Sequence, residues 1–121
     1  MRKFANYEVT EIARDLAVRV YHLLPCYPVD ERFALCRQIR RAVVSIGANI
    51  AEGAGRSTDK DFAHFLSQAI GSACELEFLM LLSADLGYLE KSLQTTIDND
   101  IQLIKAKLYR LRQALLVNPK R

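Results

Sequence analysis

The stretch Gln38-Ile39-Arg40-Arg41-Ala42-Val43-Val44-Ser45-Ile46-Gly47-Ala48-Asn49-Ile50-Ala51-Glu52-Gly53-Ala54-Gly55-Arg56 carries two patterns on one helix. Together with Cys36 just before it, Ile39, Val43, Ile46 and Ile50 step by three and four, which makes one apolar stripe. Gln38, Arg41, Ser45, Asn49 and Glu52 step by the same intervals. At about 100° per residue, this polar row sits nearly opposite the stripe. A solvated helix face is more often built from Lys and Glu pairs than from Gln, Ser and Asn, so both faces of this helix are expected to have partners. Glu52 sharpens the point, because an acid in the last turn opposes the helix dipole unless a cation such as Arg56 offsets it. We expect the row Gln38, Ser45, Asn49 and Glu52 to form a polar network with another helix or with a second subunit.

Working outward, the spacing predicts four helices. The first runs from about Tyr7 to Leu24 behind Asn6 as N-cap, with Val9, Ile12, Ala13, Leu16, Val20, Leu23 and Leu24 facing inward. Pro25 and Pro28 break the chain after it. The second follows Asp30 and ends near Gly53, with Gly53 and Gly55 offering a left-handed stop. The third starts at Ser57 or Thr58, where Thr58 and Asp61 approximate a capping box, and ends at Gly87. The fourth covers about Tyr88 to Leu116 with the stripe Leu93, Ile97, Ile101, Ile104, Leu108, Leu111 and Leu115, and Pro119 stops it. Long helices joined by short loops, without linker or repeat, predict an all-α, antiparallel up-down-up-down four-helix bundle spanning residues 1–121 as one domain.

The third helix carries a surplus. Phe78, Leu79, Met80, Leu81 and Leu82 are apolar on every side, more than one internal core can face. Phe78, Leu79, Leu81 and Leu82 are therefore candidates for a subunit interface, and a homo-oligomer is expected. That apolar run is far too short to span a membrane, and Met1-Arg2-Lys3 leads into polar residues rather than a secretory leader. Cys26, Cys36 and Cys74 are scattered, without metal-ligand spacing, and read as reduced thiols; Cys36 and Cys74 lie on or beside apolar stripes, where core packing is the default. A cytoplasmic protein without membrane association fits all of this.

Catalytic patterns are missing. There is no nucleophile elbow, phosphate-gripping glycine loop or dinucleotide fingerprint. Asp61 and His64 have the spacing of one half of a di-metal motif, but His22 follows Arg19 and supplies no second half. We expect no catalytic residue, metal or cofactor. The net charge is +3, unevenly spread: residues 57–100 hold two lysines against eight acids, while residues 101–121 hold six bases and no acid. Arg32, Arg37, Arg40 and Arg41 crowd the second helix, and Lys105, Lys107, Arg110 and Arg112 the fourth. Of these, Arg37, Arg40, Arg41, Lys105, Lys107, Arg110 and Arg112 are the candidates for contact with RNA or DNA phosphates. No helix-turn-helix, aromatic RNA platform or zinc module accompanies them. The rival reading is a protein–protein scaffold or adaptor whose basic residues only solvate it.

The run from Gln38 to Gly55 resembles the signature of the small four-helix-bundle family first found in intervening sequences of bacterial 23S ribosomal RNA genes. That signature reads Arg-Arg-Ala, then Val-Ser-Ile-Pro-x-Asn-Ile-Ala-Glu-Gly. Arg40, Arg41, Ala42, Val44, Ser45, Ile46, Asn49, Ile50, Ala51, Glu52 and Gly53 match it in order. The likeness continues through Arg56, Phe62, Phe65, Leu66, Gly71, Ser72, Glu75, Leu76 and Gly87-Tyr88-Leu89, and reaches back to Pro28 and Glu31-Arg32-Phe33. Gly47 departs from it, standing where the family has proline, so a kink there is permitted and not imposed. The resemblance implies an up-down bundle and a ring-like homopentamer. It also implies kinship with accessory proteins of diversity-generating retroelements, bundles thought to bind a reverse transcriptase and nucleic acid through a basic surface. It brings no catalytic residues.

Overall fold

The computed structural model describes residues 2–4 and 7–117. Helix α1 spans Glu8–Leu23, α2 Leu35–Ala54, α3 Asp59–Asp85 and α4 Lys91–Val117, with short 3₁₀ turns at Leu24–Cys26 and Val29–Glu31. Asn6, expected to cap α1, and Pro119, expected to stop α4, lie outside the described residues, as do Lys120 and Arg121.

Cross-links fix the directions. Ser45 meets Ser72, and Gly53 meets Phe62 and Phe65, so α2 and α3 run antiparallel. Glu77 pairs with Lys105 and Ser67 with Arg112, which sets α4 antiparallel to α3. Lys107 reaches Glu8 and Asp100 reaches Arg19, so α1 lies antiparallel to α4. The result is a four-helix bundle in which α2 and α4 each touch α1 and α3. The stripes read from sequence supply its core: Leu16, Ile39, Ile46, Ile50, Phe62, Leu66, Leu76, Ile101, Ile104 and Leu108 are fully buried. By length and composition α3 could cross a membrane, with mean hydropathy 1.4 over its best window. Here Phe62, Leu66, Ala69, Ala73, Leu76 and Met80 on that helix pack into the bundle.

Helix ends show where local chemistry acts. Thr58 caps α3, its Oγ1 accepting from Asp61 N at 3.1 Å. Replacing Thr58 with alanine removes that acceptor and is expected to cost about 1 kcal/mol in urea unfolding. At the other end Gly87 has φ +80°, Gly87 N donates to Ala84 O at 3.0 Å, and Tyr88 N donates to Ser83 O at 2.9 Å. This reciprocal pair turns the chain sharply toward α4 and needs a residue that tolerates the left-handed region.

Several expectations need correction. The second helix starts at Leu35 rather than just after Asp30, because the 3₁₀ turn and a non-helical Ala34 (φ −117°, ψ −98°) intervene. Gly53 and Gly55 do not make a left-handed stop: Gly55 has φ −81°, and Gly53 is buried inside the helix, where α3 approaches closely. On α4, Leu93 is exposed and Gln94 buried, because Gln94 and not Leu93 continues the alternating three-and-four spacing of Ile97, Ile101, Ile104 and Leu108. Cys74 is exposed, not in the core; Cys36 is buried, and burial pushes its thiol pKa up.

Candidate nucleic-acid interface

Only the middle of the polar row of α2, Ser45 and Asn49, packs toward α3; Gln38, Arg41 and Glu52 are exposed and lie outside the expected network. Ser45 Oγ accepts from Ser72 Oγ at 2.8 Å, and Asn49 Nδ2 donates to Ser45 O and to Ser45 Oγ, both at 2.9 Å. All three side chains are half-buried, so the seam satisfies polar groups that close helix packing would otherwise strand. Above it Gln38, Arg41, Ser45 and Glu75 line a depression of about 300 Å³. Glu52 stands apart from this network: its carboxylate takes Arg56 Nη2 at 3.0 Å, and the Arg56 guanidinium lies 4.6 Å from the Phe65 ring centroid. Arg56 thus offsets the acid at the end of α2 and covers the Gly53 crossing.

The seven basic candidates do not form one patch. Lys105 is half-buried and bonded to Glu77 at 2.8 Å, and Lys107 is bonded to Glu8 at 2.8 Å. The Glu77 hydrogen bond holds the Lys105 pKa above its ordinary value, and Lys105 in turn holds Glu77 low. Lys107 likewise lowers the Glu8 pKa. Both lysines therefore tie helices together. Arg112 Nη1 donates to Ser67 Oγ at 3.1 Å toward α3, whereas Arg110 lines a shallow hollow with Tyr7 and Glu8 toward α1.

The α2 group is different. Arg37 and Arg41 are exposed, and half-buried Arg40 donates Nη2 to Arg32 O at 3.0 Å. Among the described residues none of Arg32, Arg37, Arg40 and Arg41 has a carboxylate within 4.0 Å. Four guanidiniums without a carboxylate partner among the described residues thus gather within ten residues, on the turn before α2 and its first two turns. Arg32, which the sequence places with these arginines on the second helix but not among the contact candidates, sits instead on the turn before α2.

The apolar surplus also divides. Leu79 is 4% exposed and belongs to the core, so it is no interface candidate, and Leu82 packs partly against that core. Phe78 and Leu81 remain outside at 62% and 45% exposure. Their neighbours were all apolar too, so only the register of the helix could separate them. Among the described residues no group of three or more His, Cys, Asp and Glu is placed to hold a metal ion, and both Asp61 and His64 are exposed.

Comparison with the curated proteins gives no match. Among solved structures, one similar chain is a protein of unknown function from the S23 ribosomal protein family of Bacteroides thetaiotaomicron VPI-5482. It is 30% identical, with a TM-score of 0.79 over 86% of this chain and 97% of that one. Residues 5–110 match the family described as 23S rRNA-intervening sequence protein. With the family matched over most of its length and the same fold found in a relative of 30% identity, the chain belongs to the 23S rRNA-intervening sequence protein family.

Proposed function

We propose that this is a non-enzymatic, cytoplasmic, homo-oligomeric bundle that binds nucleic acid, or a nucleoprotein partner such as one containing a reverse transcriptase, through the start of α2. The observation that carries the reading is the set Arg32, Arg37, Arg40 and Arg41, which lacks carboxylate partners among the described residues while Lys105 and Lys107 are consumed by Glu77 and Glu8. Uncompensated guanidiniums attract phosphates without a base-reading motif, and repetition of the patch around an oligomer turns weak contacts into avidity. Arg110 and Arg112 add secondary contacts. Phe78 and Leu81 supply the apolar face for self-association, with the pentamer taken from family likeness.

A salt titration tests it. With about four phosphates neutralised per subunit, affinity for a generic duplex is expected to fall about a hundredfold between about 50 and about 200 mM salt. The double substitution Arg40→Glu and Arg41→Glu is expected to weaken binding at least about tenfold while leaving helical circular dichroism intact. Affinity indifferent to salt and to that charge reversal would leave only the scaffold reading.

A further inference from the structure

Where α1 hands over to α2, the two 3₁₀ turns leave a cavity of about 450 Å³. Tyr21, Pro28, Val29 and Cys36 supply apolar walls, Arg32 and Arg40 line it as well, and no carboxylate does. The volume lies in the range that takes a small aromatic body. Beside it stands Phe33, 76% exposed, the most exposed large apolar side chain among the described residues. The Arg32 guanidinium links the two features, since it lines the cavity and lies 5.9 Å from the Phe33 ring centroid. Arg40 is held in place by its bond to Arg32 O, so its charge is already oriented. Asp30 and Glu31 share this turn, but Glu31 is engaged elsewhere: it accepts from Tyr88 Oη at 3.1 Å and from Leu35 N at 3.4 Å.

Exposed aromatic faces interleaved with guanidiniums that have no carboxylate partner among the described residues suit one occupant. A duplex offers phosphates, but its bases are stacked on each other and show no free face to an aromatic ring. An unpaired strand offers both, and stacking on aromatic side chains is indifferent to which base arrives. We propose that the α1–α2 turn seats a single-stranded stretch of nucleic acid, with bases on Phe33 and Tyr21, one of them entering the cavity, and the adjoining phosphates on Arg32 and Arg40. This rests on the phosphate-binding reading above and adds to it a choice of strand state.

The test is fluorescence anisotropy with the full chain, comparing a labelled thymidine oligonucleotide with a blunt duplex of equal length at fixed low salt. The single strand is expected to bind about tenfold more tightly than the duplex. Phe33→Ala with Tyr21→Ala is expected to erase that preference and leave duplex affinity unchanged, and Phe33→Trp is expected to retain it. Both aromatic rings are substantially exposed, and an unchanged thermal melt of the double variant establishes that the loss is not unfolding. Equal affinity for both forms, insensitive to Phe33 and Tyr21 but lost in the Arg40→Glu, Arg41→Glu variant, overturns the single-strand seat and keeps the phosphate contact. Absence of binding to either form at low salt overturns both.

Discussion

Replacing Gly53 with alanine is expected to destabilise the bundle by about 1–3 kcal/mol, against the usual gain of about 1 kcal/mol for alanine over glycine inside a helix. A Cβ at residue 53 would stand 2.7 Å from Phe65 Cβ, 2.9 Å from Phe62 Cδ1 and 3.3 Å from Phe62 O. Phe65 Cβ is fixed to the α3 backbone and cannot rotate away. Phe62 is fully buried and already packs edge-to-face with Tyr7, ring centroids 5.6 Å apart. The new methyl can be fitted only by moving α2 and α3 apart where they cross. Gly47 supplies the control on the same helix: a Cβ there meets nothing within 4 Å, so Gly47→Ala is expected to stabilise by about 0.5–1 kcal/mol. Urea unfolding of both variants at one protein concentration reads the two signs. A Gly53→Ala protein as stable as the parent would show that the crossing is looser than these distances state.

That contrast marks what a linear reading reaches and where it stops. Period-three-and-four patterns identified all four helices, because a bundle helix must bury one stripe and Ile39, Ile46, Ile50, Ile101 and Ile104 do so. The Thr58 cap was legible because its acceptor and donor lie three residues apart. Gly53 was read as a stop because the reason for a glycine there, the Phe62–Phe65 wall, belongs to another helix. The start of α2 was misplaced because residues 31–34 contain no obligate breaker, and only the backbone at Ala34 ends the continuity. The polar row was seen as a network, but its partner, Ser72, was not. For the basic residues the limit is more general. Composition names the cations, whereas their availability depends on which acids other helices bring: Glu77 and Glu8 consume Lys105 and Lys107, and among the described residues no carboxylate lies within 4.0 Å of Arg37 or Arg41.

Substituting Phe78 and Leu81 together with glutamate is expected to convert an oligomer into a 13.7 kDa monomer without unfolding it. Both side chains lie on the outer face of α3, where they continue the line of exposed Cys74. Single exposed apolar residues are ordinary, but a helical row of them is, on the proposed oligomer reading, the face that another subunit covers. Phe78 and Leu81 expose 62% and 45% of their surface, so covering that remainder is worth about 1.5–3 kcal/mol per contact; placing carboxylates there adds desolvation, and dissociation should rise by about two orders of magnitude or more. Leu79→Glu separates interface from core: at 4% exposure this position belongs to the bundle interior, and the substitution should unfold the chain. A ring imposes one further condition. Its contacts are heterologous, so the α3 face must meet a different face of the next subunit. The α1–α4 groove supplies one candidate: Val18 and Leu103 are exposed there at 52% and 41%, set among the charged side chains of Glu11, Arg14, Asp15, Arg19 and Asp100. Leu103→Glu should then dissociate the assembly as Phe78→Glu does, although the two lie on different faces of one bundle. If light scattering shows Leu103→Glu still assembled while the Phe78 and Leu81 variant is monomeric, the α3 face pairs with something other than this groove. The symmetric alternative, α3 against α3 across a two-fold axis, would then limit the assembly to a dimer.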